Sequence, residues 1–140
     1  MSSLGLAEGE YARVTHDLTL HFARTLLRHS PVAVFCYVSG AGTGGRQMWA
    51  RVKRHTELDL LALPFRAATM FRPAGMQPLA GQQHVLPLYR WLGWLVPLAR
   101  RFDYGSTLRE VGLALLRVAE RGAGPPVLEV RDINELAAQP

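Results

Sequence analysis

The chain has 140 residues, of which 49% are hydrophobic and 19% charged, with a formal net charge of +5 at pH 7. That length supports one domain with a buried core, and those proportions exclude a disordered, fibrous or collagen-like chain. A lone cysteine, Cys36, excludes a disulfide framework and fits a reducing compartment, so a cytoplasmic location is expected.

The N-terminal stretch MSSLGLAEGEY has no basic region followed by an apolar one and does not read as a signal peptide. Residues 8–28 are predicted helical, because Tyr11, Val14, Leu18, Phe22 and Leu26 recur every three or four positions. Glu8 and Glu10 suit the positive end of that helix, Arg28 and His29 suit its negative end, and Pro31 stops it. Residues 32–38 are an unbroken apolar and aromatic run, which predicts a strand covered on both faces with Cys36 as a small buried thiol. Ser39-Gly-Ala-Gly-Thr-Gly-Gly45 is a loop at that strand's carboxyl end. A helix over 46–63 is closed by Pro64, and a second short strand over 67–71 ends at Arg72-Pro73.

Residues 74–105 form a variable segment in which a helix is predicted between 85 and 101. Its most apolar part, 85–99, contains Pro87, Arg90 and Pro97 and is shorter than the roughly 20 clean apolar residues of a membrane span. Thr107 with Glu110 forms a capping box for a helix over 108–121. Pro125-Pro126 leads into a last strand over 127–130, beyond which the tail is expected to fray. Strands alternating with amphipathic helices imply an α/β fold, a parallel sheet with right-handed crossovers. A helix rather than a strand comes first, so the sheet starts abruptly.

Basic residues are spread along the chain without a dense stripe or aromatic interleaving, so a general basic surface is expected and no nucleic-acid site. Of the 16 basic residues only Lys53 is a lysine. A genomic bias toward arginine codons explains the others but not the exception. An ammonium, unlike a guanidinium, can release its proton, which marks Lys53 as a candidate site residue.

Ligands of open parallel sheets bind beyond the carboxyl ends of the strands. Ser39 and the Arg72-Pro73-Ala74-Gly75 turn are predicted to lie there, with Trp49 and Lys53 on one face of the intervening helix. Ser39, then Trp49-Ala-Arg-Val-Lys53, then Phe71-Arg-Pro73 resembles the second half of the short-chain dehydrogenase/reductase superfamily. The closer likeness is to atypical bacterial members described as epimerase-like or NAD(P)-binding. It extends through Phe35-Cys-Tyr-Val-Ser-Gly-Ala-Gly-Thr43, Leu63-Pro-Phe65 and Val127-Leu-Glu-Val-Arg-Asp-Ile133, covering about residues 2–136.

The resemblance implies a partial Rossmann-like sheet, the C-terminal half of a doubly wound domain, with NAD(P) as the cofactor of full-length relatives. It assigns Lys53 to the nicotinamide ribose, Ser39 to the substrate oxygen, and Pro73, Ala74, Gly75 and Met76 to the border of the nicotinamide. Trp49 stands where the family has its catalytic tyrosine, and indole has no proton to transfer near neutral pH. The glycine-rich turn that binds pyrophosphate at a helix N-terminus has no counterpart. The loop 40–45 falls where the family has its active-site loop, so phosphate cradling is not expected there. These departures imply an incomplete polypeptide, inactive alone and binding no dinucleotide well, as a misassigned start codon would produce. In-frame upstream sequence encoding a glycine-rich turn would support that reading.

Other readings compete. Trp49 is expected as a core aromatic under the sheet ahead of a substrate-stacking role, and Ser39 as a simple strand-end cap is an equal alternative. Lys53 could pair with Glu57 one turn on, and His55 with Asp59; neither those histidines nor His16 and His21 suggest a metal site. No nucleophile-plus-base pair is evident. Tyr89, Trp91, Trp94 and Leu95 fit a packed helix, with membrane-surface contact less favoured. A homodimer through helices 8–28 and 46–63, or partners on an open strand edge at 32–38, would make the chain a non-catalytic module. The substrate is not specified by these residues.

Overall fold

Strand β1 (Val34–Val38) forms from the last five residues of the first apolar run, after a turn in which Ala33 N donates to Ser30 O at 3.0 Å. Strand β2 (Ala67–Phe71) pairs with it in parallel, in a register from Val34↔Ala67 to Val38↔Phe71. Strand β3 (Val127–Leu128) pairs in parallel with the other edge of β2. These strands belong to a computed structural model that describes residues 7–74 and 105–140. The described chain is therefore a mixed α/β structure around an open, parallel sheet in the order β1-β2-β3. The segment predicted to hold a helix at 85–101, with its Tyr89, Trp91 and Trp94, lies outside the described residues. Its flanks meet, since Ser106 N donates to Ala74 O at 3.3 Å above the strand tips.

Side chains alternate along each strand, so the sheet has two apolar faces and each demands a cover. On one, Phe35, Tyr37, Ala68 and Met70 meet Leu20, Ala23 and Leu26 of α2 (Leu18–His29) and Leu60 and Leu61 of α3 (Met48–Leu61). On the other, Val34, Cys36, Phe71 and Leu128 meet two further helices. These are α4 (Leu108–Arg121), through Val111, Ala114 and Val118, and α5 (Val130–Ala138), through Ile133 and Leu136. Helix α3 carries the chain from β1 to β2, and α4 carries it from β2 to β3. Both crossovers step the same way across the sheet, yet their helices cover opposite faces. With α2 and α3 on one side, α4 is needed to bury the other.

Two predicted boundaries also change. The tail does not fray: β3 stops at Leu128, and α5 begins at Val130 with Ile133, Leu136 and Ala137 buried. The cause is local, because Glu129 N donates to the Asp132 carboxylate at 2.9 Å and so opens a helix. Helix α4 starts as its sequence predicts. Thr107 Oγ1 accepts from Glu110 N at 3.1 Å, and Thr107 N donates to the Glu110 carboxylate at 2.6 Å. It ends on Gly122, whose left-handed φ of 64° suits a residue without a Cβ. No helix among the described residues is long and apolar enough to cross a membrane.

The first helical stretch is also interrupted. Helix α1 (Glu8–Ala12) passes into a π-helical turn (Arg13–Asp17) before α2. From that turn His16 bonds Asp17 through Nδ1 at 2.7 Å and Asp59 of α3 through Nε2 at 2.8 Å. Asp59 is thus partnered by His16 rather than by the His55 that helical spacing suggested. A neutral imidazole has one N–H, so two carboxylate partners call for the imidazolium. Its hydrogen bonds to Asp17 and then Asp59 accordingly raise the His16 pKa above 6.5. Stability from this clamp is fully present below the unfolded value of about 6.5 and is lost as pH rises through the folded value. Wild type should lose less than about 1 kcal/mol relative to His16→Gln between pH 5.5 and 8.5, both partners being exposed. Urea unfolding at the two pH values checks this, and an equal response in both proteins would refute it.

Candidate functional site

The carboxyl ends of β1 and β2 carry a cluster of bonded charges. Ser39 extends the ladder past β1, its N–H donating to Phe71 O at 2.8 Å. Its buried hydroxyl donates to Glu57 Oε1 at 2.6 Å, with Phe71 O a second acceptor at 3.2 Å. Helical spacing sets Trp49, Lys53 and Glu57 of α3 on one face above the strand tips. From there Lys53 Nζ donates to the Ser39 carbonyl.

Glu57 is 0% exposed, an unusual place for a carboxylate unless it is paired. Arg72, one residue past β2, answers it with a two-pronged fork: Nε reaches Oε1 at 2.9 Å and Nη2 reaches Oε2. Arg54 Nη1 adds a longer contact at 3.3 Å. The remaining prong of Arg72 bonds Glu129 Oε1 at 2.8 Å, tying β3 to the same cluster. Burial alone would raise the Glu57 carboxyl, but hydrogen bonds from Arg72 and Ser39 outweigh it and hold the pKa below its ordinary value. The Arg72 guanidinium is raised in turn, chiefly by its hydrogen bond to Glu57. Lys53 moves down, because burial disfavours its charge more than nearby Glu57 favours it.

The glycine loop folds onto itself. Gly42 and Gly44 have φ of 85° and 91°, conformations that glycine adopts without strain. Its amides are spent internally: Ala41 N to Pro73 O at 2.9 Å, Thr43 N to Gly40 O at 3.1 Å, Gly44 N to Ala50 O and Gly45 N to Gly42 O both at 3.0 Å. Those four N–H groups are not aimed outward as a phosphate cradle requires. Trp49 covers this loop, since a Cβ at Gly42 would lie 3.6 Å from its Cη2, and its Nε1 donates to Gln47 Oε1. The ring is half-buried and belongs to neither core, so the expectation of a core aromatic under the sheet is corrected. Trp49 lies in the first turn of α3, where its ring faces the loop at Gly42 rather than the sheet cores.

The structure thus gathers Ser39, Lys53 and Pro73 at the tips of β1 and β2, with Ala74 following, while Gly75 and Met76 lie outside the described residues. The alternative of a Lys53–Glu57 side-chain pair gives way to Lys53 on the Ser39 carbonyl, because Glu57 is filled by Ser39 and the arginines. Glu57 and Arg72 were missed as site residues. The available signal was Glu57 one turn after Lys53 on the face that Trp49 and Lys53 already marked.

Chemically, the cluster can hold a ligand oxygen through Lys53 but has no evident acid. The one hydroxyl proton of Ser39 is directed to Glu57, and Trp49 has none to transfer. Tyr37 is no ready acid either, for burial pushes its pKa up to about 12. Burial likewise raises the Cys36 thiol and makes it a poor nucleophile. Among the described residues no three His, Cys, Asp or Glu side chains gather as a metal site. No family model matches this chain, and no curated protein matches its sequence.

Proposed function

We propose that this chain is the C-terminal part of a Rossmann-like, NAD(P)-binding domain of the short-chain dehydrogenase/reductase type, epimerase-like and catalytically silent alone. The observation that carries this reading is the meeting of Ser39, Lys53 and Pro73 at the carboxyl ends of parallel strands, where a nicotinamide would lie. Silence follows from Trp49, which offers no transferable proton, and from a Ser39 hydroxyl already committed to Glu57. Among the described residues the outer edge of β1 has no strand partner. Phe22 and Val32, 59% and 75% exposed, flank it. A pyrophosphate-binding half of the sheet would cover that edge and supply the missing glycine-rich turn.

Calorimetric titration of the chain with NADPH and NADH tests this. The expected result is no saturable binding tighter than roughly millimolar; a micromolar dissociation constant for the chain alone would overturn the reading. A second reading, a homodimer through helices 8–28 and 46–63, is favoured by Leu18, Phe22 and Leu58, which are 60%, 59% and 46% exposed on those helices. A monomeric mass by light scattering would eliminate it.

A further inference from the structure

The tips of β1 and β2 hold a buried carboxylate that neither the substrate role of Ser39 nor the ribose role of Lys53 requires. We propose that Glu57 is the positioning residue of this corner, fixing through Ser39 and Arg72 the carbonyl on which the Lys53 ammonium rests. The inference rests on the reading of Lys53 as the group that meets a ligand, and it concerns how that group is held.

The geometry is a closed chain of contacts. Glu57 Oε1 takes both the Ser39 hydroxyl at 2.6 Å and Arg72 Nε at 2.9 Å, so one oxygen joins the end of β1 to the end of β2. The Ser39 amide is anchored at the same time to Phe71 O at 2.8 Å. The Ser39 amide and hydroxyl fix its Cα, and Ala41 N, donating to Pro73 O at 2.9 Å, anchors the far side of the Ser39–Gly40 peptide. Its carbonyl therefore presents one defined direction to Lys53 Nζ. A lysine has much rotamer freedom to lose, and a rigid acceptor beside a fixed negative charge offsets part of that loss.

The same arrangement controls the proton on Lys53. Burial drives its pKa down, and the charge of Glu57 is the compensating influence. The charged groups around it are Arg54 and Glu57 of α3, Arg72 beyond β2 and, through Arg72, Glu129 ahead of α5. From the helices packed on the other side of α3, Glu8 is engaged with Arg51 and His16 with Asp59, so among the described residues Glu57 is the carboxylate that acts on Lys53. The only lysine of the chain then behaves as a poised amine, charged when a ligand oxygen needs it and held in one place.

That uniqueness supplies the test. Side-chain labelling by acetic anhydride reports Lys53 alone, and peptide mass spectrometry separates it from the N-terminal amine. In Glu57→Gln the midpoint of the labelling-rate profile should fall by about one pH unit, since a charge a few ångströms away is removed from a low-dielectric site. Simple loss of folding would move the midpoint the opposite way, toward the ordinary lysine value near 10.4. An unchanged midpoint in the folded variant overturns the proposal. Ser39→Ala removes the hydroxyl link without stranding a charge and guards against a Glu57 variant that does not fold. Its labelling at pH 8 should be several-fold faster than wild type, and an equal rate also overturns the proposal. Neither measurement needs a dinucleotide, so this inference can fail while the NAD(P) reading stands, and the reverse.

Discussion

Arg72→Ala is expected to destabilise the folded chain by about 3–5 kcal/mol at pH 7, the scale for removing one partner of a buried ion pair. The loss comes mostly from what remains. Glu57 is 0% exposed, and without the Arg72 fork its carboxylate keeps only the Ser39 hydroxyl and the 3.3 Å contact to Arg54. The pH dependence carries a definite sign. Glu57 has a folded pKa below its unfolded one, so its contribution is present above about 4.3 and is lost as pH falls through the folded value. Urea unfolding should therefore show a wide gap between wild type and Arg72→Ala at pH 7 that narrows below about pH 4. The combined replacement Glu57→Leu with Arg72→Met should regain most of the loss, because an apolar pair needs no compensating charge. A gap below about 1 kcal/mol at pH 7 would mean that solvent reaches Glu57 once Arg72 is removed.

Phe71→Ala should be comparably severe, about 3–5 kcal/mol by the same measurement. Phe71 is the last residue of β2 and is fully buried among Val111, Val118, Leu128, Ile133 and Leu136. Its ring is the largest side chain in that core, so truncation opens a cavity between the sheet and both α4 and α5. The α5 contacts should suffer first, since the buried apolar contacts of that short helix come from Ile133, Leu136 and Ala137. Amide exchange in 130–138 should accelerate in the variant. Phe22→Ala provides the contrast: that ring is 59% exposed, and its loss should cost less than about 1 kcal/mol. A small effect at Phe71 together with a large one at Phe22 would contradict the described division between core and edge.

Some of this architecture is written within short windows of sequence. The apolar runs at 32–38 and 67–71 place two covered strands, and Thr107 with Glu110 starts α4 through bonds confined to one turn. The grouping of Trp49, Lys53 and Glu57 follows from helical spacing, and the position of Ser39 follows from the end of a strand. Tertiary structure decided the remainder, because the deciding contacts join distant parts of the chain. His16 reaches Asp59 across 43 positions and Arg72 reaches Glu129 across 57. No local propensity distinguishes those partners from nearer ones such as His55 or Lys53. The placing of α3 and α4 on opposite faces has the same origin. Each strand shows that both its faces are apolar, but which helix covers which face depends on the surface left exposed after α2 and α3 have packed. Short-range hydrogen bonding selects the elements, and burial of both sheet faces with pairing of the enclosed Glu57 charge selects their arrangement.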